Sequence, residues 1–181
     1  MKRTLSVALL ATLLVLSGCE KSHDHSDDEH KVPGTFILRL VGSRGDTVTA
    51  RWRDADGPGG SPPTVDTLGL RSNSTYSCSL EILATDGDSL TNTIRSQGTE
   101  HQFFYSLDGS AANTVSIAIT DRDSRGMPLG LQTQWSIAPV QAPTPGHVRI
   151  QLYHYEPNTK DGQTRSPETD ADISLPLVIE P

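Results

Sequence analysis

The chain has 181 residues, with 15 Lys and Arg against 22 Asp and Glu, a net charge of −7. That balance excludes nucleic acid as a partner, because phosphate binding needs a basic face. Hydrophobic residues make up 34%, enough for one core, while 15 Gly and 12 Pro argue against long helices and for a loop-rich β architecture.

Met1-Lys2-Arg3 is a short positive start, followed by an apolar stretch from Leu5 to Leu16 that is too short to span a bilayer as a mature helix. Leu16-Ser17-Gly18-Cys19 then resembles the bacterial lipobox. The resemblance implies cleavage after residue 18 and lipidation of Cys19, and several acyl chains anchor a protein stably without a spanning helix. Glu20 stands where an Asp would resemble an inner-membrane retention signal, so the outer membrane is the expected location, at its periplasmic face or on the cell surface. Once Cys19 is lipidated, Cys78 is the only thiol left and no intrachain disulfide is possible.

Residues 19–34 read as a disordered, acidic, His-rich tether. His23, His25 and His30 alternate there with carboxylates, a composition suited to weak metal capture. The same stretch also reads as a solvated spacer, and Ser26-Asp27-Asp28-Glu29 resembles the acidic surface-export signals of Bacteroidota lipoproteins.

Residues 35–181 show period-two alternation broken by turn residues. Phe36-Leu38-Leu40, Val48-Ala50-Trp52 and Tyr76-Cys78-Leu80-Ile82 each predict a strand with one buried face, and the third places Cys78 inward as an inert thiol. A weaker strand is expected near Leu90–Ile94. Further strands follow at His101–Tyr105, Val115–Ile119, Leu129–Ile137, Val148–His154 and Ile173–Ile179, the last an edge strand because it holds Pro176. About nine short antiparallel strands predict an all-β, immunoglobulin-like sandwich, with a small barrel as the other solution.

Gly87-Asp88-Ser89-Leu90 spells the block of the GDSL hydrolases, but no later histidine follows an Asp by three residues, so a hairpin turn is the better reading. With no nucleophile–base pairing in sight, the expectation is a protein that is not an enzyme.

Two acidic turns, Asp54-Ala55-Asp56-Gly57 and Asp121-Arg122-Asp123, present paired carboxylates of the kind calcium takes, although Asp also builds turns without metal. If the last five strands connect as successive hairpins, one pole gathers His101, Asp121, Asp123, His154, Asp170 and Asp172, joined by Asp54 and Asp56 if no strand intervenes between Pro63 and Leu70. Such a pole predicts a divalent cation, calcium or zinc, with imidazole ligands favouring zinc.

The segments Asp54-x-Asp56-Gly57, Glu100-His101-Gln102-Phe103-Phe104-Tyr105, Asp121-x-Asp123, Pro128-Leu129-Gly130-Leu131, Glu156-Pro157-Asn158 and Glu168-Thr169-Asp170 together resemble a family of small Bacteroidota-type envelope lipoproteins. Its members often carry the label "type 1 periplasmic binding domain-containing protein", although binding proteins of that type are larger two-lobed α/β structures. Where family members tend to have His directly before the acidic-Pro-Asn segment, this chain has Tyr155, with His154 one position earlier. A slip of one residue turns a strand side chain to the other face unless a bulge compensates, so His101 is the stronger ligand candidate of the two. The expected function is metal or small-ligand binding on the outer membrane in support of an outer-membrane receptor. The alternative is an adhesion or structural module stabilised by calcium.

Overall fold

The computed structural model describes residues 31–181. The lipidation candidate Cys19 and the tether histidines His23, His25 and His30 lie outside the described residues. Within them no helix is long and apolar enough to cross a membrane.

Among the described residues, ten strands form two sheets. They are β1 Pro33–Gly42, β2 Thr47–Arg53, β3 Thr64–Val65, β4 Leu68–Arg71, β5 Ser74–Ala84, β6 His101–Gly109, β7 Val115–Ile119, β8 Gln132–Ile137, β9 Thr144–His154 and β10 Glu168–Glu180. A six-stranded sheet runs β3-β2-β1-β5-β8-β7, and a four-stranded sheet runs β4-β10-β9-β6. The alternation read from the sequence explains the burial: Phe36, Leu38, Leu40, Tyr76, Cys78, Leu80, Ile82 and Trp135 point inward from the first sheet. Phe103, Val148, Ile150, Leu152, Ile173, Leu175, Leu177 and Ile179 do so from the second, and one contiguous core joins both sets. Placing side chains of period two on one face is what lets each sheet bury half its residues and wet the rest.

Several expectations need correction. Leu90–Ile94 is not a strand; Thr91–Ser96 forms a single-turn helix, α1, that buries Ile94. Strands β3 and β4 were not expected, and β4 pairs with β10 in parallel, Leu177 opposite Leu68, so the fold is not wholly antiparallel. Pro176 therefore sits on an interior strand. It is tolerated because the ladder to β4 begins only at Leu177, one residue beyond it.

The last five strands are not successive hairpins. Strand β6 pairs with β9, and β7 and β8 belong to the other sheet, reached through a 3₁₀ turn at Ser110–Asn113. Strands β6 and β10 both run antiparallel to β9, so the start of β6, the end of β9 and the start of β10 meet at one end of the molecule.

The expected seventh strand starts only at Gln132. Leu129 to Leu131 runs between the sheets instead: Phe103 N donates to Leu129 O at 2.8 Å and Leu80 N to Leu131 O at 2.9 Å. Gly130 has φ of +98°, and a Cβ there would lie 2.7 Å from the Cβ of Phe103, so this crossing requires glycine.

Candidate metal centre

His101 opens β6 and His154 closes β9, and the register places them directly opposite each other. Both lie on the inward face of their strands, His101 in phase with Phe103 and His154 in phase with Leu152 and Ile150. Asp170 reaches the same face by a different device. Thr169 pairs with Tyr153 and Ala171 with Leu152, which leaves Asp170 as the extra residue of a β-bulge. In a regular ladder Asp170 would pair with Tyr153 and point to the outer face. The bulge re-aims it inward, beside the two imidazoles.

The ligand atoms of His101, His154 and Asp170 all lie within 4.8 Å of one another. His101 Nε2 is 3.6 Å from Asp170 Oδ2, and His154 Nδ1 is 4.0 Å from Asp170 Oδ1. The other ring nitrogen of His101, Nδ1, lies 3.0 Å from the carbonyl oxygen of Gln97, the residue that caps α1. A carbonyl only accepts, so the proton sits on Nδ1 and the lone pair of Nε2 faces the carboxylate. This is the arrangement in which a metal-binding histidine is usually held, oriented by a backbone carbonyl through its second nitrogen.

Electrostatics favour the neutral ring. Burial pushes the pKa of His101 below its ordinary value, helped by the neighbouring His154, and outweighs the opposing pull of Gln97, Asp170 and Glu100. Neutral imidazole is the ligating form. Zinc bonds of about 2.0–2.2 Å place neighbouring tetrahedral ligands roughly 3.3 Å apart, so an ion shared by all three would have to draw separations of up to 4.8 Å in by as much as ~1.5 Å.

The remaining candidates hold other positions. Asp121 accepts the backbone N–H groups of Gly130 at 2.8 Å and Leu131 at 3.0 Å, and so fixes the segment that crosses between the sheets. Asp123 Oδ1 accepts from Arg125 N and Met127 N, and its Oδ2 accepts from Lys160 Nζ at 2.9 Å. Asp54 and Asp56 accept from Gly57 N and Ser61 N in the turn that follows β2. Asp172 is bonded by Arg149 and Gln151 of the neighbouring strand. These carboxylates are engaged in turns and ion pairs and stand outside the His–His–Asp cluster.

Sequence reasoning missed Lys160. Its side chain is fully buried and bridges Asp123 to the carbonyl of Gly98 at 2.7 Å, tying the 156–167 loop to the 98–100 turn just before His101. A lysine in a polar loop gives no hint of burial, because the partner that neutralises it lies 37 residues away.

Gly87-Asp88-Ser89-Leu90 is part of a turn, as the sequence suggested: Ala84 N donates to Asp88 O and Gly87 has φ of +92°. It leads into α1 and not into a second strand.

No family model matches the chain, and no curated protein matches it. Among solved structures, the S-layer protein SbsC domains 4 and 5 align with 83% of this chain at 12% identity and a TM-score of 0.30. This chain covers 60% of that one, and a likeness so low carries no argument about fold or function.

Proposed function

We propose that this is a non-enzymatic outer-membrane lipoprotein, anchored through Cys19, whose folded domain is an immunoglobulin-like sandwich binding zinc or a similar transition metal at His101, His154 and Asp170. The reading includes its resemblance to the Bacteroidota-type envelope lipoproteins and a role in support of an outer-membrane receptor. The observation that supports the metal is the orientation of His101: Nδ1–H is committed to Gln97 O, and Nε2 faces Asp170. Two imidazoles and one carboxylate suit zinc, copper or iron and are poor ligands for calcium. The calcium-stabilised module loses support because Asp121 and Asp123 have both carboxylate oxygens engaged by backbone N–H groups and Lys160, and Asp54 and Asp56 each accept a backbone N–H group of their own turn.

The test uses the full chain freed of lipid by Cys19→Ser, with His23, His25 and His30 changed to Ala to silence the tether. Calorimetric titration should show one zinc per chain, lost on His101→Ala. At a hundredfold excess over Kd, binding adds about 2.7 kcal/mol to stability, which raises Tm by several degrees. A chain that retains no zinc and melts identically with zinc and with chelator removes the metal from the reading.

A further inference from the structure

The side of the sandwich between β2 and β10 is not closed by a strand. Strand β3 is two residues long, and the β4 ladder takes up the flank of β10 only from Leu177 onward. Among the described residues, no strand flanks residues 168–176 on the side away from β9. Apolar side chains that a longer neighbour would cover line a cavity of about 230 Å³ there. Phe36 and Trp52, opposite each other in the β1–β2 register, stand edge to face with 5.9 Å between ring centroids, and Ile173 joins them from β10.

Size and charge decide what fits. Pockets for drug-sized ligands hold ~300–1,000 Å³, so this one suits a smaller organic molecule, although it is far larger than a bare ion. Asp54 contributes to the lining from the end of β2 and Asp170 from the β10 bulge, and no described Lys or Arg lines the cavity. Asp172, the third carboxylate there, is ion-paired with Arg149. Lys31, next to Val32 in the chain, is ion-paired with Asp86 and Asp88. An anion is repelled by such walls, and a neutral hydrocarbon gains nothing from them. An organic cation uses both parts of the lining: its charge is drawn to the carboxylates, and its apolar body lies against an indole, the aromatic ring that holds cations best.

We propose that this cavity binds a small alkylammonium ion. Its volume takes such a molecule whole, so the ligand is the free amine and not a lysine side chain carried by a larger partner. The inference stands on the cavity and not on the metal reading. Asp170 borders both sites, but Phe36, Trp52 and Asp54 belong to the cavity alone.

The probe is butylammonium, added to the full Cys19→Ser chain with a metal chelator present and at constant ionic strength. The chain has two tryptophans, Trp52 in the cavity and Trp135 fully buried, so their indole N–H resonances, assigned with Trp52→Phe, report separately. The expected result is a saturable shift of the Trp52 resonance, with a Kd of about 1–10 mM, while that of Trp135 stays in place. Butanol and butyrate, neutral and anionic molecules of the same length, should bind at least about tenfold more weakly. N-acetyl-lysine N-methylamide should also bind more weakly, and tighter binding of it would assign the cavity to a peptide side chain and overturn the free amine. Asp54→Asn removes the charge but keeps an oxygen to accept from Gly57 N, and should weaken butylammonium at least about threefold. A Trp52 resonance unmoved at about 100 mM butylammonium overturns the proposal. Equal binding of butanol does so too, because the cavity is then a plain apolar pocket. If Asp54→Asn fails to fold, the comparison of the three four-carbon probes in the parent decides alone.

Discussion

His101 and His154 stack face to face across the β6–β9 ladder, with 4.8 Å between ring centroids and 29° between planes. Two imidazoles so placed, with a carboxylate beside them, can share one cation through their ring nitrogens. The carboxylate that faces both comes from β10, whose bulge is what allows it to do so.

This relationship gives the metal-free protein a pH signature. The folded-state pKa of His101 lies below its ordinary value of 6.5, chiefly because the ring is buried. The unfolded chain therefore binds more protons in the interval below pH 6.5. Stability is fully present above that value and is lost as the pH falls through the folded pKa, with a slope of at most about 1.4 kcal/mol per pH unit from this group. Denaturant melts of the metal-free chain between pH 7.5 and 5 should show this slope, flattened in His101→Asn. An unchanged slope in the variant would mean that another group governs the transition.

The Lys160–Asp123 pair predicts a non-additive mutant cycle. Burial lowers the pKa of Lys160, and for Asp123 the hydrogen bonds from Lys160, Met127 and Arg125 outweigh burial and hold its carboxyl below the usual range. Asp123→Ala strands a buried ammonium and should destabilise by about 3–5 kcal/mol. The double variant Asp123→Ala/Lys160→Met should cost clearly less than the two single changes together. Additive effects measured in urea would show that the two groups do not act as a pair.

Cys78 is 2% exposed between Tyr76 and Leu80, and burial pushes its thiol pKa up to about 12. The native protein should resist a thiol reagent at pH 8 and react stoichiometrically once denatured. Labelling of the native protein within minutes would place the β5 strand in a different register.

Cys19 carries the anchor reading. Cys19→Ser should release the protein from the membrane fraction into the soluble one, and mass spectrometry of the parent should find the acyl chains on residue 19. A variant that remains membrane-bound would point to a different attachment.

Much of the fold was legible along the chain. Phe36, Leu38 and Leu40, or Ile173, Leu175, Leu177 and Ile179, announce a strand by their spacing alone, and a strand with one apolar face must bury it. The acidic turns were equally plain as turns, because an Asp side chain satisfies backbone N–H groups two to four residues on, a local interaction. The segment around Leu90 and Ile94 was misread because a window so short cannot separate a period of two from one of 3.6.

His101, His154 and Asp170 were each visible as residues able to bind metal, but the sequence ranked His101 above His154 and held five other candidates beside them. Tertiary structure decided which of them stand together. Pairing β6 with β9 set the two histidines opposite each other, and the other sheet's hold on β7 and β8 left Asp121 and Asp123 to brace the loops. One unpaired residue in β10 turned Asp170 inward. Register and bulges are properties of two strands at once, set by the fit of the whole core, and the residues of either strand alone do not encode them. What the sequence by itself determined was the β architecture and the chemistry available; which side chains stand together was decided only when the sheets packed against each other.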